Sequence, residues 1–123
     1  MHELSVAHAL VAAATEALVD EPDPRVQELH LRLGRLSGVV QGSLEFAYDV
    51  AVGGTALEGS RLVVHEVPVS VWCAECGRVV ELPDATSFRC PLCSTPSGDL
   101  RAGREIELVR LVLDDRPRAG VVA

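Results

Sequence analysis

The chain has 123 residues, about one domain's worth, with 48% hydrophobic but only 3% aromatic residues, so its core must be built mainly from Val, Leu and Ala. A formal charge of -7, with every basic residue an arginine, makes a surface that repels phosphates and argues against broad nucleic-acid or anionic-membrane binding. No apolar run reaches the roughly 18 residues a membrane-spanning helix needs.

Leu4, Ala7, Leu10, Val11, Ala14 and Leu18 recur at helical spacing and predict a helix over about residues 3–19. Asp20-Glu21-Pro22-Asp23-Pro24 stops it. This segment has no basic stretch before it and carries Glu3 and Glu16, so it reads as a folded helix and not as a signal peptide. The cytoplasm is the expected compartment.

Residues 26–33 then alternate, with Leu29, Leu31 and Leu33 on one face and His30 and Arg32 on the other, which predicts a half-buried strand. After turns at Gly34 and Ser37-Gly38, a second helix is expected over about residues 43–51. It buries Leu44, Ala47, Tyr48 and Ala51 and ends at Gly53-Gly54. Residues 61–72 are β-rich, and Pro68 inside the run marks an edge strand or a break between two strands. A last strand is expected over residues 105–113, with a change of apolar parity between Leu108 and Val109 that signals a bulge.

Between these strands lie Cys73-Ala74-Glu75-Cys76-Gly77 and Cys90-Pro91-Leu92-Cys93-Ser94. Two CxxC knuckles at this separation can close one tetrahedral metal site, and in a reducing compartment metal is favoured over disulfides. Four thiolates leave no open position for water or substrate, so the site is structural, with Zn(II) as its first occupant. An iron site of the rubredoxin type is the rival. Such sites sit in aromatic-rich shells, and only Trp72 and Phe88 are at hand.

The order helix, strand, helix, strand, cysteine module, strand predicts an α+β fold: a small three-stranded sheet with two helices and an inserted zinc-ribbon-like module. Residues 1–70 with 103–115 form the discontinuous core, residues 71–102 the zinc-binding module, and residues 116–123 a flexible tail. The small module draws much of its folding free energy from the metal.

His2 offers a second and different metal site. The α-amine of Met1, the backbone nitrogen of His2 and the His2 imidazole can close adjacent chelate rings, and planar nitrogen donors suit Ni(II) or Cu(II). Glu3 favours the positive end of the helix that starts there. His8, His30 and His65 are expected as surface or partly packed histidines. No P-loop, G-x-S-x-G or dinucleotide fingerprint occurs, and no thiol is spared from the metal, so the chain is not expected to be an enzyme.

Taken together, Met1-His2-Glu3-Leu4-Ser5, the run Leu31-Arg32-Leu33-Gly34-Arg35-Leu36-Ser37-Gly38-Val39-Val40, Ser43-Leu44 with Phe46-Ala47, both CxxC pairs and Gly103-Arg104-Glu105-Ile106-Glu107-Leu108 resemble the HypA/HybF hydrogenase maturation nickel metallochaperones. The resemblance spans nearly the whole chain. It implies a nickel carrier that binds Ni(II) through the N-terminal amine and His2, often with the Glu3 backbone, and structural zinc at Cys73, Cys76, Cys90 and Cys93. It further implies a maturation GTPase and the nickel-iron hydrogenase large-subunit precursor as partners, with urease as a further target in some organisms. Some members take an acidic nickel ligand from the loop after the first strand. Gly38-Val39-Val40-Gln41-Gly42 has no carboxylate there, so that ligand is not carried over. Monomer and homodimer are both open. Two rivals stand beside this reading: a zinc-ribbon module touching nucleic acid, which the charge disfavours, and a small iron electron carrier.

Overall fold

The computed structural model describes residues 2–114, so Met1 and the tail expected at residues 116–123 lie outside the described residues. The elements run α1 (Glu3–Ala17), β1 (Val26–Gly34), α2 (Gln41–Ala51), β2 (Arg61–Val67), β3 (Ser70–Cys73), β4 (Arg78–Glu81), β5 (Leu100–Ala102) and β6 (Ile106–Leu113). They form two three-stranded sheets, ordered β2-β1-β6 and β4-β3-β5.

In the first sheet β1 pairs parallel with β2 and antiparallel with β6. A parallel pair needs a crossover, and α2 supplies it. Both helices pack on the sheet face that carries Leu29, Leu31 and Leu33, joined by Leu62 and Val64 from β2 and Ile106, Leu108 and Leu111 from β6. α1 contributes Val6, Ala7, Leu10, Val11 and Ala14, and α2 contributes Leu44, Ala47, Tyr48 and Ala51 as its spacing predicts. The buried Tyr48 hydroxyl lies 2.6 Å from that of Ser60, so the one polar group in this aromatic side chain is satisfied. The register of β1 against β6 slips between His30 and Leu31, leaving Val109 unpaired where the parity change predicts a bulge.

Three expectations need correction. Leu4 is 47% exposed and Val6 takes the core position instead, because α1 enters the bundle one turn above its first residue. α2 starts two residues earlier than its apolar spacing suggests, at Gln41. His30 does lie on the face away from the helices, yet it is buried under neighbours from adjacent strands.

The second sheet holds its own small core of Val69, Val71, Cys73, Val80, Leu82 and Cys90. Its strands β4 and β5 were not expected from the sequence; they are too short for alternation to register. Residues 34–40 stitch the two units together, since Leu36 packs on the second core and Val39 on the first. Backbones meet closely here: Gly34 N–H donates to Glu105 O at 2.7 Å and Leu36 N–H to Gly103 O at 2.6 Å. A Cβ on Gly34 would sit 2.1 Å from Gly103 O, so only glycine permits this junction.

Candidate metal centre

The two cysteine knuckles fold alike. β3 delivers Cys73 at its last residue, and the chain then turns so that Gly77 N–H donates to Cys73 O at 2.8 Å. In the second knuckle Ser94 N–H donates to Cys90 O, also at 2.8 Å. Both turns end in the left-handed region, with Gly77 at φ 65 and Ser94 at φ 64. Gly77 occupies that region freely, whereas Ser94 is held there by the turn. Backbone amides point at sulfur in each: Cys76 N–H to Cys73 Sγ and Leu92 N–H to Cys90 Sγ, both 3.4 Å.

The outcome is one cluster in which the four sulfurs of Cys73, Cys76, Cys90 and Cys93 all lie within 4.8 Å of one another. Cys73 and Cys90 are buried, Cys76 is half-buried and Cys93 faces solvent. Thiols this close cannot all ionise without a cation, and their proton affinities split accordingly. Cys76 is pushed up to about 12 by Cys93, Cys73 and burial. Cys73, despite the Cys76 amide on its sulfur, is raised by burial and by its neighbours. Cys93 is drawn down to about 6, first by the Thr95 hydroxyl 3.1 Å from its sulfur and then by the Thr95 amide. A set of four soft donors converging on one point, with amides already aimed at the sulfurs, fits a tetrahedral ion of the zinc type.

At the other end of the chain, His2 is exposed and caps α1 in an extended conformation, with no hydrogen bond from its side chain. Its imidazole is therefore not committed to capping. The amides of a helix's first turn have no intrahelical acceptor, so the Glu3 N–H is free of the helical ladder. The Glu3 side chain is engaged: its Oε2 accepts the Val40 N–H at 3.3 Å, at the cap of α2. Sequence reading placed Glu3 at the helix end but did not find this tie between the two helices. It also missed Ser94 and Thr95, for which the likeness of Cys76-Gly77 to Cys93-Ser94 was the available signal. His8 is exposed on α1. His30 and His65 come together on the first sheet, away from the cysteines.

The family described as "Hydrogenase/urease nickel incorporation, metallochaperone, hypA" matches residues 1–113. A hydrogenase maturation factor HypA from Roseiflexus sp. (strain RS-1) is 52% identical over 120 residues, covering 97% of this chain and 98% of that protein. The HypA of Chloroflexus aurantiacus (strain ATCC 29366 / DSM 635 / J-10-fl) is 45% identical over 111 residues, covering 90% and 97%. In structure, the chain is similar to the solution structure of the Ni metallochaperone HypA from Helicobacter pylori, with a TM-score of 0.64 at 20% identity and coverage of 90% and 96%. At that identity the likeness speaks for the fold, which is the α+β arrangement expected from the sequence. The chain belongs to the HypA family of hydrogenase maturation metallochaperones.

Proposed function

We propose that this protein carries Ni(II) at its N-terminus and delivers it for the maturation of nickel-iron hydrogenase, and of urease where that enzyme is present. The nickel ligands are the free amine of Met1, the backbone nitrogen and imidazole of His2, and the backbone of Glu3. The observation that carries this reading is the state of His2: an exposed, uncommitted imidazole at the first cap of a helix whose next residue is tied to α2. The Glu3 tie anchors the first turn of α1 next to His2, whose imidazole is open to solvent. A carrier needs both, because transfer by ligand exchange requires an incoming donor to reach the ion.

Cys73, Cys76, Cys90 and Cys93 hold structural zinc, which when bound closes the second sheet's small core around itself. The closed donor set leaves no place for substrate, and the protein performs no catalysis of its own. It acts in the cytoplasm, as a monomer or homodimer, with a maturation GTPase and the hydrogenase large-subunit precursor as partners. It does not bind nucleic acid or membranes.

The deciding experiment is a Ni(II) calorimetric titration of zinc-loaded protein with Met1 as its free first residue, beside His2→Ala. Saturable binding at micromolar concentration or tighter in the parent and its loss in the variant is the expected result. Equal binding in both moves nickel to another histidine or to the thiolates. No binding in either overturns the carrier reading.

A further inference from the structure

α2 turns Leu44, Ala47, Tyr48 and Ala51 to the first core and leaves its outer side to solvent. Successive residues of a helix lie about 100° apart, so Phe46 and Val50 form a stripe on that outer side, one turn from each other. Phe46 is 74% exposed and Val50 59%. Glu45 and Asp49 form a second stripe beside the first, again one turn apart. They line an open groove of about 240 Å³ between α2 and the start of β2, with Ser60, Arg61 and Leu62 as its other wall.

Single exposed apolar side chains are ordinary. Here two of them are aligned along a helix, and the charge beside them is of one sign. α2 has no basic residue. Among the described residues no cation pairs with Glu45 or Asp49, and Arg61, the one arginine in the groove, is engaged by Glu28 at 2.6 Å. Glu45 accepts the neutral Gln41 amide at 3.0 Å, which leaves its charge unbalanced. A second copy of this chain would bring two more carboxylates and no basic residue on its own α2, so it leaves the acidic stripe unanswered.

We propose that the outer side of α2 is the docking face for an amphipathic helix of another protein, one whose apolar stripe is flanked by arginine or lysine. The incoming apolar side chains pack on Phe46 and Val50, and the cations alongside enter the groove to meet Glu45 and Asp49. α2 has 11 residues, about 16 Å at the helical rise, so the contact takes about three turns of the partner. The apolar pair supplies most of the affinity, while the acidic stripe sets the choice of partner and the dependence on salt. The cap of α2 is tied to Glu3 through the Val40 amide, so the docked helix lies close to the chain's first turn. Docking there needs no nickel.

The probe is a synthetic helical peptide with leucines at i, i+4 and i+7 and arginines along one flank. Its control is the same peptide with glutamates in place of the arginines. Each is titrated into the zinc-loaded full chain and followed by amide chemical shifts. The arginine peptide should saturate and shift residues 41–51 and 60–62, with the glutamate peptide at least about tenfold weaker. Phe46→Ala should weaken binding about tenfold and Val50→Ala several-fold. Both variants should keep the parent's thermal midpoint, because neither side chain lies in the core. The double variant Glu45→Gln, Asp49→Asn should bind the two peptides alike and lose the dependence on salt. No saturable binding, shifts centred elsewhere, equal affinity of the parent for both peptides, or undiminished binding by Phe46→Ala overturns the proposal. Self-association of the parent that Phe46→Ala abolishes would make the occupant a second copy, and overturns it too.

Discussion

Glu3 and Val40 join the first turns of two helices that are 37 positions apart in sequence, through a carboxylate accepting the amide that precedes α2. That bond ties the first turn of α1 to the cap of α2. Replacing Glu3 by Ala should cost about 0.5–1 kcal/mol, the range for a lost cap on a partly exposed helix end. Glu3→Gln keeps an acceptor and should recover most of it. If the tie also orders the nickel donors, Ni(II) affinity should drop in Glu3→Ala and stay near the parent in Glu3→Gln. Calorimetry on both variants checks this, and equal affinities in all three proteins would confine Glu3 to a structural part.

The cysteine cluster should bind its metal with a proton release that depends on pH in a definite direction. At neutral pH Cys93, drawn down to about 6, is already a thiolate, while Cys76, pushed up to about 12, holds its proton. Metal binding therefore displaces fewer than four protons at pH 7, with Cys76 and the raised Cys73 among the donors. As pH falls through about 6, Cys93 also gains a proton in the metal-free protein, and one more must be expelled. Affinity should decline throughout acidification and more steeply below that point. Zinc calorimetry in buffers of differing ionisation enthalpy counts the protons directly.

How far these features were legible depends on whether they are local. The α2 burial pattern, the β1 alternation and the β6 bulge are properties of contiguous residues, and each shows as periodicity or a break in it. The metal cluster is nearly local too, because CxxC spacing dictates each knuckle. His30 was read on its own strand, where it falls on the polar face. Its burial comes from His65 on β2 and Arg110 on β6, partners set by a parallel register and a crossover that no single strand reveals. The Glu3–Val40 bond and the Gly34–Gly103 contact are hidden for the same reason. β4 and β5 went unseen because strands of four and three residues carry too few alternations.

Two glycines of the central region should respond oppositely to alanine. At Gly34 the new Cβ would meet the Gly103 carbonyl at 2.1 Å, and backbone on both sides cannot yield cheaply. Gly34→Ala should destabilise by about 2–3 kcal/mol or more, and should loosen the junction where Leu36 enters the second core. Gly42, in the first turn of α2, has nothing within 4 Å of its would-be Cβ. Gly42→Ala should be neutral or stabilise by up to about 1 kcal/mol, as better helix propensity allows. Chemical denaturation of the two variants provides the comparison, and similar losses in both would refute the close-contact argument.

Metal removal should divide the molecule along its two cores. The first core draws on two helices and three strands, with fully buried Leu29, Leu31, Leu44, Tyr48 and Leu57. The second has six buried residues, two of them metal-ligand candidates, and its strands are short. Without a cation, Cys73 and Cys90 leave two buried thiols where a metal would tie both knuckles together. So small a core cannot offset the ordering entropy of the segment it stabilises. Chelation should therefore strip amide protection from β3, β4 and β5 while β1, β2, β6 and both helices keep theirs. Hydrogen exchange followed by NMR before and after chelation reads this strand by strand. Loss of protection in the first sheet at the same rate would mean that residues 34–40 couple the two cores into one cooperative unit.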